Sequence, residues 1–400
     1  MAKRTSKTRS KAHGAPLPDA DWLKSFRRRL VPWYQRTARD LPWRRGTNVY
    51  HTWVSEIMLQ QTQVATVEAY FLRFTEAFPT IERLAAADEQ EVLRLWEGLG
   101  YYRRARQLHA AAKMIVDEFD GEFPRSSEDV ARLPGIGRYT LGAILSIAFD
   151  AKEPILEANT RRLLARLMAL KDDPHRTAGE AQLWEFAEAL LPEKNVGRLN
   201  QALMELGSLV CTPKDPKCDE CPAAELCLAK AADLQDKIPP PKQPPQWESI
   251  REAAIVVRRR GRVLVRQCQE GERWSGLWDF PRISLKAKRA DRVRAELASK
   301  VAELTGVEIE PGEHLTTIKH GVTRFRITLE CFEAEHLAGP VKETKAKKTK
   351  SSSQRNGSEP AAPLKWLRLT ELDDYPLSTT GRKLGTLIQK RASRPQKPVE

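Results

Sequence analysis

The run Ile238-Pro239-Pro240-Pro241-Lys242-Gln243-Pro244-Pro245 constrains this chain more than any other feature. Five prolines in eight residues permit neither helix nor paired strand, so the run reads as an extended spacer. The apolar period differs on its two sides. Before it, apolar residues recur at helical spacing: Trp22, Phe26, Leu30 and Trp33-Tyr34 share one face. Helical patterns follow over 51–74, 82–96, 103–119 and 179–191. Ser126 and Asp129 have the spacing that opens another helix. After the spacer the period becomes two. Ala254–Val257 and Arg262–Val265 read as strands about an Arg259-Arg260-Gly261 turn. A helix near 289–305, strands near 314–333, a strand at Leu364-Lys365-Trp366 and a helix after Ser378 complete the pattern. The expected fold is multidomain, an all-α part followed by an α+β part. The boundaries are a disordered basic tail over 1–17, an all-α domain over 18–237, a linker over 238–250, an α+β domain over 251–390 and a tail over 391–400. Residues 341–362, rich in Lys, Ser, Pro and Ala, carry no order signal and read as an insertion within the α+β domain.

The 400 residues carry a net charge of +14, which suggests a polyanionic partner. Much of that charge is terminal or inserted. Residues 1–16 hold Lys3, Arg4, Lys7, Arg9 and Lys11 with no acid, and 342–356 hold six basic residues against Glu343. Such tails add salt-sensitive affinity for nucleic acid, or are simply solvated. No apolar run is long enough to span a membrane, and no apolar secretion core follows Met1, so the expected location is cytoplasmic, with nuclear or organellar placement left open. Four of the six cysteines crowd together as Cys211-x6-Cys218-x2-Cys221-x5-Cys227. In a basic chain without a secretion signal, that clustering favours a metal site over disulfides. Spacing alone leaves zinc and an iron–sulfur cube open.

Two stretches of the all-α part carry chemistry. In Leu133-Pro134-Gly135-Ile136-Gly137, the glycines are expected to supply backbone angles closed to other residues and to bare N–H groups at a helix N-terminus, a seat for phosphate. Glu157 and Asn159 follow about twenty residues on. In WVSEIMLQQTQV, Glu56 stands among Trp53, Val54, Ile57, Met58 and Leu59. A carboxyl in such surroundings has its pKa raised and can hold a proton near neutrality.

The hairpin and its downstream acid resemble the helix-hairpin-helix DNA glycosylases. The 53–64 string, with LPWR before it and GLGYYRRARQLH (98–109) after it, is very similar to the MutY-type adenine DNA glycosylases, a match spanning about 22–230. The cysteine spacing resembles their 4Fe–4S loop. WSGLWDFPRI (274–283) resembles the start of a Nudix domain, although the Nudix box is reduced to Glu303 and Gly306. The resemblance implies a monofunctional enzyme that hydrolyses the N-glycosidic bond of adenine mispaired with 8-oxoguanine or guanine in double-stranded DNA. It implies one 4Fe–4S cluster on Cys211, Cys218, Cys221 and Cys227, a Nudix-like domain that reads the lesion, and a monomer.

Roles transfer only where motifs align. Glu56 matches the acid that protonates adenine. Glu157 stands where the family has Asp, the group that faces the sugar cation, and Ala158 replaces the usual Gly. Asn159 matches a supporting amide. Tyr139 matches a tyrosine near the reacting sugar in many members, and it stands where bifunctional members carry a lysine nucleophile. Trp43, Arg44 and Gln201 match the adenine pocket, Gln61 and Tyr101 the residues inserted into the duplex, and Gly135 and Gly137 the phosphate-holding hairpin. Thr323 and Arg324 replace the Ser and His of the lesion-reading loop. The alternatives are a noncatalytic lesion-binding protein, since Glu157 departs from the pattern, and a pyrimidine or thymine glycosylase of the endonuclease III type.

Overall fold

The computed structural model describes residues 17–240, 246–340 and 362–393. The tails expected over 1–17 and 391–400, the insertion over 341–362 and the middle of the linker lie wholly or largely outside the described residues. The chain divides into two compact units, residues 1–85 with 110–243, and residues 86–109 with 244–400.

The first unit is helical. α1 (Ala20–Thr37) starts where Asp19 accepts the backbone N–H of Trp22 at 2.8 Å, and it buries Phe26, Leu30, Trp33 and Tyr34. Trp22 stacks on Phe26 with centroids 5.2 Å apart. A 3₁₀ turn at Pro42–Arg44 follows. The single helix expected over 51–74 is two, α2 (Val49–Leu59) and α3 (Val64–Ala77). Gln61 at φ 59° and a bond from Thr62 N–H to Leu59 O make the break, without the glycine or proline that would announce it. The helix expected over 82–96 is likewise divided, into α4 (Ile81–Ala86) and α5 (Glu89–Trp96), because Asp88 caps the latter by accepting from Gln90 N–H at 2.8 Å. α6 (Arg103–Phe119) crosses the boundary between the units along the chain.

α7 (Ser127–Arg132) opens on Ser126, whose hydroxyl oxygen accepts Asp129 N–H at 3.1 Å, as the spacing predicts. α8 (Arg138–Phe149), α9 (Ala158–Leu167), α10 (Thr177–Ala189), α11 (Val196–Leu209) and α12 (Leu228–Ala231) complete the unit. α1, α9, α10 and α11 share one core around Leu30, Leu164, Leu183, Phe186, Leu199 and Leu206. α11 comes so close to the start of α9 that a Cβ on Gly207 would lie 2.9 Å from Asn159 Cβ and O.

The second unit is built on a mixed seven-stranded sheet: β1 (Glu248–Arg259), β2 (Arg262–Gln267), β3 (Trp278–Asp279), β4 (Arg282–Ser284), β5 (Glu308–Val322), β6 (Phe325–Ala338) and β7 (Leu364–Arg368). The main order is β3-β2-β1-β6-β5, with β4 beside β1 and β7 beside β2. β1 and β6 run parallel and the other pairs antiparallel. Alternate residues of β1 enter two cores. Ala253, Ile255 and Val257 meet Val293, Leu297 and Val301 of α13 (Ala290–Thr305). Ala254 and Val256 share the other core with Leu384 and Ile388 of α14 (Thr379–Ala392). A central strand covered on both faces reads as an unbroken apolar run, which is why the sequence shows Ala-Ala-Ile-Val-Val here. No helix among the described residues is long and apolar enough to cross a membrane.

Candidate active site

The first unit holds a cavity of about 530 Å³. Of the residues singled out from the sequence, Trp43, Arg44, Glu56, Gln61, Tyr139, Glu157, Asn159 and Gln201 line it. They come from the 3₁₀ turn, α2 and the break after it, and the N-terminal ends of α8 and α9, with Gln201 in α11.

α2 is buried nearly all round, with Trp53, Val54, Ile57 and Met58 at most 2% exposed. Glu56 is carried inside with them and is 5% exposed. Burial pushes its carboxyl up to about 7; the Tyr139 hydrogen bond and Arg44 oppose this, and the Glu157 charge adds to it. Tyr139, in the first turn of α8, donates its hydroxyl to Glu56 Oε2 at 2.7 Å. Burial, and then the two nearby carboxylates, push that phenol well above its usual value, so it stays a proton donor.

Glu157 is the N-cap of α9. Its carboxylate accepts Asn159 N–H at 2.7 Å and Thr160 N–H at 2.8 Å, while its own N–H donates to Thr160 Oγ1 at 2.8 Å. Burial raises its pKa, and the backbone N–H groups and Arg162 oppose the rise. Glu56 and Glu157 therefore differ in kind. One sits among apolar groups with a phenol; the other sits at a positive helix end. Asn159 Oδ1 accepts Arg162 Nη2 at 2.9 Å, and Arg162 also donates to Gly207 O and Cys211 O, each at 2.7 Å.

On the facing wall Gln201 Oε1 accepts the Tyr34 hydroxyl at 3.2 Å. Trp43 is wedged edge-on against Phe71 at 5.4 Å. Arg44 donates Nη2 to Glu205 Oε2 at 2.9 Å. Glu205 escaped the sequence reading. It is 0% exposed, lines the cavity and takes three further bonds from Arg39, through the backbone N–H, Nε and Nη2. Burial alone would raise its pKa, but Arg39 and Arg44 overcome this and hold it down at about 2. The signal that marks Glu56 was available here too, an acid inside an apolar helical run, Ala202-Leu203-Met204-Glu205-Leu206.

The hairpin lies outside the cavity lining. Gly135 has φ 83° and needs glycine, with Ile136 N–H bonded to Leu133 O. Gly137 departs from expectation. It caps α8 at φ −97°, ψ 174°, extended backbone open to any residue, and a Cβ there meets nothing within 4 Å. What Gly137 keeps is open space over the helix N-terminus.

Cys211, Cys218, Cys221 and Cys227 line one common cavity. Among the described residues no three His, Cys, Asp or Glu side chains gather round a single ion position. Arg166 Nη1 donates to Cys211 Sγ at 3.3 Å. Four sulfur donors with a guanidinium beside them fit a negatively charged, thiolate-bound metal group.

Tyr101, Thr323 and Arg324 belong to the second unit. Tyr101 is 51% exposed with φ 49°. Thr323 and Arg324 form the two-residue turn between β5 and β6. Thr323 has φ 50°, a strained setting for a β-branched residue, and Arg324 lies 5.1 Å from the Phe325 ring.

The HhH-GPD superfamily of base excision DNA repair proteins matches residues 54–189, and the NUDIX domain family matches 253–386. An adenine DNA glycosylase of Rattus norvegicus is 34% identical over 364 residues, 78% of this chain and 70% of its own. That of Buchnera aphidicola subsp. Schizaphis graminum is 37% identical over 264 residues, 66% of this chain and 76% of its own. A thermostable thymine-DNA glycosylase of known structure is similar over 53% of this chain and 98% of its own, at 27% identity and a TM-score of 0.49. With its paired carboxyls in a helical cavity and its Nudix-like sheet, the chain belongs to the adenine DNA glycosylase family, within the HhH-GPD superfamily of base excision DNA repair proteins.

Proposed function

We propose that the chain hydrolyses the N-glycosidic bond of adenine mispaired with 8-oxoguanine or guanine in double-stranded DNA. The observation that carries this reading is Glu56, a buried carboxyl with its pKa near 7, bonded to Tyr139 in a cavity that a second carboxyl also lines. Cleaving the bond requires a proton on the departing purine and negative charge beside the sugar cation. Glu56 supplies the proton at N7, and Tyr139 holds the carboxyl in place. Glu157 balances the developing cation, and Asn159, held by Arg162, supports it. Adenine reaches the cavity only after leaving the stack, a step that costs a few kcal/mol and costs least at a weakened pair. Trp43, Arg44 and Gln201 receive the base, with Glu205 fixing Arg44. Gln61 and Tyr101 enter the duplex, the Gly135–Gly137 turn holds a phosphate, and Thr323 and Arg324 face the opposing lesion. Cys211, Cys218, Cys221 and Cys227 would hold one 4Fe–4S cluster, whose contribution would be structural, the order of a DNA-facing loop. Tyr139 offers no amine for a Schiff base, so base release proceeds without efficient strand cleavage.

The test is single-turnover base release from duplexes carrying A:8-oxoguanine, A:G, A:T and T:G pairs. Release of adenine from the first two, with little from A:T, is expected. Release of thymine in place of adenine supports the pyrimidine reading and overturns this one. Binding without any release makes the chain a lesion-binding protein.

A further inference from the structure

Tyr101 stands in an unusual loop. Gly98, Gly100 and Tyr101 all have positive φ, at 103°, 70° and 49°, and the Tyr101 ring is left 51% exposed. Trp96 Nε1 bonds Gly100 O at 3.2 Å, and Arg104 Nη2 bonds Leu99 O and Gly100 O at 3.3 and 3.2 Å. A left-handed tyrosine persists only where its surroundings over-determine it.

The loop begins at Glu97, the C-cap of α5. Gln90, Arg94 and Glu97 recur at i, i+4 and i+7, so they share one helix face. Each is engaged within the second unit. Gln90 Oε1 accepts Trp278 Nε1 at 2.9 Å, and Arg94 Nε donates to Asp373 O at 2.6 Å. Glu97, its side chain 7% exposed, takes both arms of Arg382 from α14, Nε to Oε1 at 2.6 Å and Nη2 to Oε2 at 3.0 Å. Leu377 N–H adds a third bond at 3.2 Å. Arg382 is itself fixed by Leu372 O, Tyr375 O and Asp373. A two-armed pair of this kind sets direction as well as distance. Loss of Arg382 would remove both close charged bonds from a buried carboxylate and leave it Leu377 N–H at 3.2 Å and Arg94 Nη1 at 3.6 Å, partners that do not fix its direction as the two-armed pair does.

We propose that Arg382 is a positioning residue for DNA engagement: by clamping Glu97 it fixes the loop that presents the Tyr101 ring to the duplex. This rests on the reading above that Tyr101 enters DNA.

The test uses the full chain and a duplex whose adenosine carries a 2′-fluorine opposite 8-oxoguanine, which resists formation of the sugar cation. Dissociation constants are measured for wild type, Arg382→Gln, Tyr101→Ala and the double variant. Arg382→Gln is expected to weaken binding on the order of tenfold. At saturating protein its rate of adenine release from the unmodified mispair stays within about twofold of wild type, because nothing in the Glu56 cavity is touched. The double variant should bind no more weakly than Tyr101→Ala alone. Glu97→Gln should reproduce the Arg382→Gln pattern, and Arg382→Lys should fall between. Wild-type affinity in Arg382→Gln, or losses that multiply in the double variant, overturn the proposal, as does a Tyr101→Ala variant that binds normally. A wild type that releases adenine while Arg382→Gln binds normally refutes this inference and leaves the proposed function standing. A wild type that neither binds nor releases refutes both.

Discussion

At the residue scale, two carboxyls at one cavity stand in different surroundings. Burial among apolar side chains pushes the Glu56 carboxyl up to about 7, while at Glu157 burial also raises the pKa and the N–H groups at the α9 N-terminus and Arg162 oppose that rise. Glu56→Gln should lower base release on the order of a thousandfold while leaving lesion binding intact, since an amide has no proton to give. Near-normal single-turnover rates would remove Glu56 from the chemistry. The same variant has a stability signature. The carboxyl titrates near 4.5 when unfolded and at about 7 when folded, so between those values the folded protein binds more protons. Wild-type stability therefore falls as pH rises through that window, and the neutral amide escapes the fall. Glu56→Gln should exceed wild type by up to about 3 kcal/mol at pH 8 and lose that advantage by pH 4, read from denaturant unfolding at the two pH values.

Glu157 is one methylene longer than the family's aspartate. Both its oxygens accept backbone N–H groups from the first turn of α9. Aspartate is among the preferred N-cap residues. Glu157→Asp should therefore keep base release within about tenfold of wild type, whereas Glu157→Gln, which cannot balance a cation, should lose on the order of a hundredfold or more. An inactive wild type rescued by Glu157→Asp would show that the extra methylene is not accommodated.

At the element scale, the site depends on α11 lying against the start of α9. Gly207 permits that approach, and the contact falls on Asn159, next but one to Glu157. Gly207→Ala would force the two helices apart just where the cap and the amide are held. It should cost about 2 kcal/mol of stability and reduce base release more than affinity for a duplex. A variant with wild-type melting and wild-type rate would show that the contact relaxes without moving the site.

At the scale of the whole molecule, the cysteine loop closes the first unit behind α9. Arg162 and Arg166 of that helix both reach Cys211, at its carbonyl oxygen and its sulfur. The purified protein should be brown and carry about four irons per chain. Cys218→Ser should lose iron and local order together, because ligation and loop folding are coupled. One equivalent of zinc without iron, in protein prepared without air, would decide for the single-ion alternative.

Local pattern was enough for much of this protein. Apolar period distinguishes the helical stretch from the sheet, side-chain caps at Ser126 and Ser378 begin helices where the sequence permits them, and an acid inside an apolar helix announces Glu56. These features were legible because each depends on neighbours a few residues away. The break between α2 and α3 was not legible, since no glycine or proline marks Gln61 and only packing makes its backbone angle tolerable. Nor were the pairs that complete the sites. Arg44 and Glu205 are 161 residues apart, and Glu97 and Arg382 are 285 apart. A sequence states which face of a helix is polar and which is apolar. Which charge meets which, and whether a buried carboxylate is held down at about 2 or pushed up to about 7, follows from how much water the assembled fold removes and which partner it puts in that water's place.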